Sequence, residues 1–248
     1  QKWDDKKAVA RDPSALEKYR TMLAEQIQYF KVTQYFFFKQ WTELKNYANQ
    51  KGIQIIGDMP IYVAADSVEV WTKPELFQLD EERNPLFVAG VPADQFSATG
   101  QLWGNPLYAW EEHKKQGYAW WIHRIEESFK IYDVLRIDHF KGFSDYWQVD
   151  GKAEVAKDGS WQPGPGYDLF KAVKEQLGDL PIIAEDLGNI DDKARKLLAD
   201  CNYPGMKILQ FGFEDVSGKS LDSPHYCIPH SIVYTGTHDN DVTNGWYN

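Results

Sequence analysis

The sequence predicts an α/β chain of the (β/α)8 TIM-barrel type, with long insertions in its βα loops and with strands at both ends incompletely represented. Three observations predict it. Amphipathic helical stretches alternate with short apolar runs. Those runs are nearly continuous in apolar residues, as parallel strands buried on both faces are. An acidic residue stands at or just beyond the end of four of them: Asp58, Asp138, Glu185 and Asp239.

The first helix is expected to open at Asp12-Pro13, a capping residue followed by proline at the first helical position. Leu16, Tyr19, Leu23, Ile27 and Phe30 follow at steps of three and four. A second helical stretch carries Trp41, Leu44 and Ala48 and stops near Gly52. Ile53 to Ile56 reads as a strand running into Gly57-Asp58. Trp121, Ile122, Ile125 and Phe129 mark the next helix, and Asp133 to Asp138 the next strand. Leu169, Phe170, Val173 and Leu177 mark a helix that breaks at Gly178, ahead of the strand Pro181 to Asp186. Met206 to Phe213 and Ser231 to Thr235 are the last two expected strands. Strands separated by helices imply right-handed parallel crossovers. Phe36, Phe37 and Phe38 are expected in the core, with Trp41, Trp120 and Trp121.

Residues 1–248 are taken as part of one catalytic barrel domain. A Pro-, Gly-, Trp- and Asp-rich stretch at about 64–117 breaks the alternation and reads as an insertion, with a smaller one at about 147–166. Five strands fall short of the eight a barrel needs. Residues 1–248 alone are therefore expected to be poorly stable and inactive.

Composition excludes some classes. A formal net charge of −10 gives no basic face for nucleic acid, and no apolar run approaches a membrane span. Cys201 and Cys227 read as buried thiols in a reducing compartment, which makes the cytoplasm the expected location. Cysteine and histidine spacings match no metal site, so neither metal nor other cofactor is expected. Ten tryptophans, several beside Gly, Asn or Asp as in Trp103-Gly104-Asn105, suit the wall of a sugar site.

The acidic residues carry the chemistry. At one strand end an aspartate is most simply a helix cap. Four in successive units favour a catalytic face, since barrel strands converge there. Arg136 lies two residues before Asp138 and so points to the same strand face. That cation is expected to keep Asp138 ionised, as a nucleophile requires. Glu185 follows an apolar run, where burial raises a carboxyl and suits a general acid. Two carboxyl groups in unequal surroundings are what glycoside chemistry uses.

Five segments, in order, resemble those of the amylomaltase (4-α-glucanotransferase) family. They are Gly57-Asp58-Met59-Pro60-Ile61-Tyr62-Val63-Ala64; Gly90 to Ser97 with Gly100 to Tyr108; Arg136-Ile137-Asp138-His139-Phe140-Lys141-Gly142; Ala184-Glu185-Asp186-Leu187-Gly188; and Thr237-His238-Asp239-Asn240-Asp241. The resemblance implies retaining transfer of α-1,4-glucan segments between malto-oligosaccharides through a covalent glycosyl-enzyme. It implies Asp138 as nucleophile, Glu185 as acid/base and Asp239 as the group that holds sugar hydroxyls and helps distort the ring. Arg136, His139 and His238 would orient these groups. Asp58 and Tyr62 would line the subsite of the attached sugar. Trp103 and Asn105 would contact the glucan, and the loop Gly90 to Gln101 would close over it. Lys141 replaces an expected Arg and Val242 an expected Thr, and neither is expected to touch a catalytic group. The alternatives are an α-amylase-type hydrolase with the same carboxylates, an inactive glucan-binding fragment, and a metal-dependent barrel hydrolase.

Overall fold

The computed structural model describes residues 4–93, 97–188, 190–214 and 219–248. Among them lie nine strands: β1 (Ile56–Met59), β2 (Phe87–Val91), β3 (Gln101–Pro106), β4 (Val134–Ile137), β5 (Asp145–Asp150), β6 (Ser160–Pro163), β7 (Ile182–Ala184), β8 (Gly205–Ile208) and β9 (Ser231–Tyr234). β1, β4 and β7 form a parallel sheet in that order, and β8 pairs with β9 in parallel. Two bonds bring β8 alongside β7. The Ala184 N–H donates to the Pro204 carbonyl at 3.0 Å, and the Met206 N–H donates to Asp186 Oδ1 at 2.7 Å. Asp186 thus supplies an acceptor to β8 just beyond the end of β7.

Each crossover helix covers the sheet with the face its sequence period supplies. Ala119–Ile131 buries Trp121 and Ile125, and Tyr167–Leu177 buries Leu169, Phe170 and Val173. These pack with Leu135, Ile137, Ile182 and Ala184 of the strands, and with Phe140 and Phe143 just beyond β4, in one continuous core. Gly178, at φ +79°, ends its helix in a conformation that strains any other residue.

The segments between β1 and β4, and between β4 and β7, meet each other. They build a four-stranded antiparallel sheet, β3-β2-β5-β6, with a small core of Val88, Val149 and Ala156. Trp147 and Trp161 sit opposite each other across β5 and β6. No helix among the described residues is long and apolar enough to cross a membrane.

Several elements differ from the sequence expectation. The helix capped by Asp12 ends at Met22, and Ala24–Gln50 then runs as one helix of 27 residues. Ile27 and Phe30 therefore belong with Trp41 and Ala48. Pairing of the first strand begins at the Ile55 carbonyl, which accepts from the Asp133 and Val134 N–H groups, so the strand spans Ile56–Met59 rather than Ile53 to Ile56. The expected strand Met206 to Phe213 stops at Ile208, and Leu209–Glu214 is a helix. Gly212 there lies so close to the Asp222 backbone that a Cβ would stand 2.9 Å from its carbonyl oxygen, a packing the turn into helix provides.

Phe36, Phe37 and Phe38 are not core residues: each is about half exposed, at 50%, 52% and 51%. Helix Ala24–Gln50 buries none of its residues, because no described element covers that face. Trp41 is half-buried, its indole N–H donating to the Ile131 carbonyl, while Trp120 and Trp121 are buried. Cys201 and Cys227 are free thiols, each only partly buried.

Gly205→Ala is expected to lower the unfolding midpoint of the full-length protein. A Cβ there would stand 2.5 Å from Asp186 Oδ2 and force that carboxylate away from the Met206 N–H. Overpacking of this kind costs about 1–3 kcal/mol. Chemical denaturation checks it; an unchanged midpoint would mean that the Asp186 bond does not hold β8 in place.

Candidate active site

The parallel register determines which side chains meet. Asp58 of β1 stands opposite Arg136 of β4, and Ile137 opposite Ala184 of β7. The residues that follow, Asp138 and Glu185, are therefore neighbours. The Asp138 N–H donates to the Met59 carbonyl at 3.0 Å and the Glu185 N–H to the Ile137 carbonyl at 2.9 Å, so the ladder extends through both catalytic candidates.

Arg136 lies between two carboxylates. Its Nη1 is 2.6 Å from Asp58 Oδ1 and 3.0 Å from Asp138 Oδ1, while Nε meets the Met206 sulfur at 3.4 Å. Burial works against its charge, but Asp58 first, then Asp138 and Glu185, leave its pKa raised. Arg136 favours the ionised form of Asp138, but other influences act against it. Burial is the largest influence on Asp138 and raises its carboxyl; Arg136 opposes this, and Asp58 and Asp239 add to the rise.

Glu185 is held more rigidly. Oε2 accepts the His139 N–H and Oε1 the Leu187 N–H, both at 2.8 Å. Bonds of this kind favour the ionised form. Burial outweighs them and, with repulsion from Asp138, pushes Glu185 up to about 7. His139 adopts φ +51°, which turns its N–H onto Glu185. Burial, and next the charge of Lys141, bring the His139 imidazole down to about 4, so it is neutral at pH 7.

An aromatic wall adjoins these groups. Trp103 of β3 meets the His139 ring edge-on at 4.9 Å and the Tyr62 ring at 6.3 Å, and keeps 37% of its surface exposed. Tyr62 is buried and stacks on Tyr108 at 5.9 Å. The amide nitrogen of Asn105 donates to the Val63 carbonyl at 3.0 Å, which ties β3 to the turn after β1. His238 Nε2 lies 3.4 Å from Asp239 Oδ1, both side chains about two-thirds exposed, at 68% and 67%. The Asp239 charge adds slightly to the rise of the Asp138 carboxyl. Of the loop Gly90 to Gln101, Asp94, Gln95 and Phe96 lie outside the described residues.

Some supporting residues escaped the sequence. Arg124 donates to the carbonyls of Pro60 and Ile61 at 2.7 and 3.1 Å, and the Tyr108 hydroxyl donates to Ile61 at 2.7 Å. Together they fix the turn that carries Tyr62. Nothing in the spacing of Arg124 or Tyr108 signals this. Lys141 pairs with Asp191 at 2.8 Å. The one group of side chains at metal-ligand spacing among the described residues is His123, Glu126 and Glu127, all exposed on one helix and including none of the strand-end carboxylates. A groove of about 620 Å³ between that helix and Ala24–Gln50 likewise contains none of them.

Two carboxyl groups in unequal surroundings, beside one buried cation at the ends of parallel strands, suit glycoside chemistry on an α/β scaffold. The chain belongs to the 4-alpha-glucanotransferase family, whose sequence profile matches residues 1–248. It is 55% identical to a 4-alpha-glucanotransferase of Streptococcus pneumoniae over 245 residues, 99% of this chain and 48% of that protein. The solved amylomaltase of Streptococcus agalactiae in complex with acarbose superposes with a TM-score of 0.97 at 62% identity, covering 99% of this chain and 50% of that one. Amylomaltase from Corynebacterium glutamicum shares the fold at a TM-score of 0.71 and 19% identity, over 84% of this chain and 29% of that one. The chain spans about half the length of the curated relatives it matches.

Arg136→Met should move the Asp138 carboxyl to a higher titration midpoint, because the opposing cation is lost while burial and the Asp58 charge remain. Carboxyl carbon NMR on the full-length protein measures it. An unmoved midpoint would show that Arg136 does not govern this charge.

Proposed function

We propose that the full-length protein is a retaining 4-α-glucanotransferase acting on malto-oligosaccharides and starch- or glycogen-type glucans, and that Asp138, Glu185 and Asp239 are its catalytic carboxylates. The observation that carries this reading is the pairing of Asp138 with Glu185 on adjacent parallel strands, one beside a cation and the other clamped and raised to about 7. Asp138 attacks the anomeric carbon as the glycosidic C–O bond breaks, and Glu185 gives its proton to the departing oxygen. The 4-hydroxyl of a second glucan then attacks the same carbon. Glu185 takes that hydroxyl's proton, and the bond to Asp138 breaks. Two inversions give net retention. Membership of the family favours a glucan over water as acceptor.

Asp58, Tyr62, Arg136 and His139 then surround the attached sugar, Trp103 and Asn105 the glucan chain, and His238 and Asp239 its hydroxyls. Trp103 supports this role with an exposed ring face beside His139. The Streptococcus agalactiae amylomaltase was solved in complex with acarbose, which supports a malto-oligosaccharide as the substrate class. The free thiols of Cys201 and Cys227 are consistent with a cytoplasmic location.

We also propose that residues 1–248 form part of one catalytic barrel domain, with insertions at about 64–117 and 147–166, closed into eight strands by chain outside this range. Two observations support closure. Among the described residues β1 and β9 each pair on one side only, and helix Ala24–Gln50 exposes a row of aromatic rings.

Glu185→Gln should lower maltotriose turnover by about a hundredfold or more, since that proton transfer is lost. An α-maltosyl fluoride donor, which needs no protonation, should still glycosylate Asp138. In the parent, kcat/KM should fall above a pH near 7, where Glu185 loses the proton that burial had retained. Parental turnover by the variant, or a profile flat through pH 8, would remove Glu185 from the acid role. Products longer than maltotriose separate transfer from hydrolysis.

Residues 1–248 expressed alone should show no sharp unfolding transition and no maltotriose disproportionation. A cooperative melt with full activity would mean that the sheet closes within this range.

A further inference from the structure

Lys141 lies three residues beyond Asp138, in the short 3-10 turn Phe140–Phe143, with its side chain only 12% exposed. Its ammonium reaches two different segments. Nζ is 2.8 Å from Asp191 Oδ2, and it stands 4.8 Å from the ring centroid of Trp161 on β6. Lysine is strongly hydrated, and holding it so far out of water is unfavourable unless its partners compensate. Asp191 is well placed to do so. Its other oxygen, Oδ1, accepts the Ala194 N–H and caps the helix Asp192–Cys201, so the carboxylate is already fixed before Lys141 meets it.

The connection bears on Glu185. The loop after β4 and the loop after β7 touch at their near ends, where the Phe140 N–H donates to the Glu185 carbonyl at 3.1 Å and the His139 N–H to its carboxylate. They touch again at their far ends, through Lys141 and Asp191. Between these ties lies Leu187, whose N–H orients Glu185 Oε1. Leu187 thus lies between two anchored residues, Glu185 and Asp191.

We propose that Lys141 is a positioning residue for the reaction: by clamping Asp191 against the turn after Asp138, with Trp161 covering the clamp, it holds the loop that aims the Glu185 carboxyl. This rests on the reading of Glu185 as acid/base. Asp191 is the second half of the device, and Trp161 links it to the antiparallel sheet.

The clamp separates experimentally from a general contribution to folding. Lys141→Met keeps the aliphatic stem and removes the charge. Asp191→Asn keeps a good helix cap and removes the ion pair. Lys141→Arg keeps the charge and its reach. In the full-length protein, Lys141→Met and Asp191→Asn should each lower kcat on maltotriose by about ten- to a hundredfold, as a displaced catalytic group does. KM should change little, because ground-state contacts are untouched. First-turnover fluoride release from α-maltosyl fluoride should stay near parental, since it needs no proton from Glu185. The double variant should be no worse than the worse single one, because one interaction is lost in both, and Lys141→Arg should restore most of the rate.

Parental kcat in Lys141→Met, equal losses on maltotriose and the fluoride, or additive losses in the double variant would each overturn the proposal. If Lys141→Met does not fold, Asp191→Asn and Lys141→Arg carry the same comparison of the two substrates. A parent enzyme that does not disproportionate maltotriose would instead overturn the proposed function, which the parental arm reads separately.

Discussion

The buried guanidinium of Arg136 is the constraint around which this molecule is arranged. It stands at the end of β4, opposite Asp58 on β1 and two residues before Asp138, and both carboxylates reach it. A cation in that position needs its anions, since an unpaired charge out of water is far more costly than an unpaired amide. Asp138 needs the cation in turn, because burial and the Asp58 charge both work against its ionisation. Strand register is what keeps the three together. A slip of one residue in β1 against β4 would turn Asp58 to the other face of the sheet and leave Arg136 half-paired.

Asp138 and Glu185 differ because their surroundings solve the same problem differently. Asp138 has a guanidinium at 3.0 Å, which partly offsets burial. Glu185 has two backbone N–H groups and, among the described residues, no direct cation contact. Its rise from an ordinary 4.5 to about 7 favours the neutral form by roughly 3 kcal/mol, even after those two bonds have acted the other way. Dehydration therefore outweighs hydrogen bonding at Glu185. The same protein face thus offers one carboxyl whose charge a guanidinium supports against burial and one that keeps its proton to near-neutral pH.

The antiparallel sheet supplies what the parallel strands cannot. β3 brings Trp103 against His139, and β6 brings Trp161 over Lys141. Both strands belong to segments that leave the parallel sheet and return to it, so the turn after β4 is supported from outside by a unit with its own small core. Asn105, Arg124 and Tyr108 fasten that unit and the turn after β1 through backbone carbonyls.

Local order was written plainly in the sequence. The caps at Asp12 and Gly178, the buried stripes of the helices ending at Ile131 and Leu177, and the apolar runs before Asp58, Asp138 and Glu185 follow from periodicity and backbone preference, which act over a few residues. The adjacency of Arg136 and Asp138 was legible too, because alternation along a strand assigns both to one face. Tertiary structure decided the rest. It set the end of β8, where the chain turns into the helix Leu209–Glu214 although the apolar run that reads as strand continues. It set the exposure of Phe36, Phe37 and Phe38, since an apolar helix face is core only where another element covers it. It joined two distant segments into the sheet β3-β2-β5-β6, and it brought Lys141 to Asp191 across 50 residues of chain. Burial and long-range pairing depend on which surfaces meet, and a linear pattern carries each surface but not its partner.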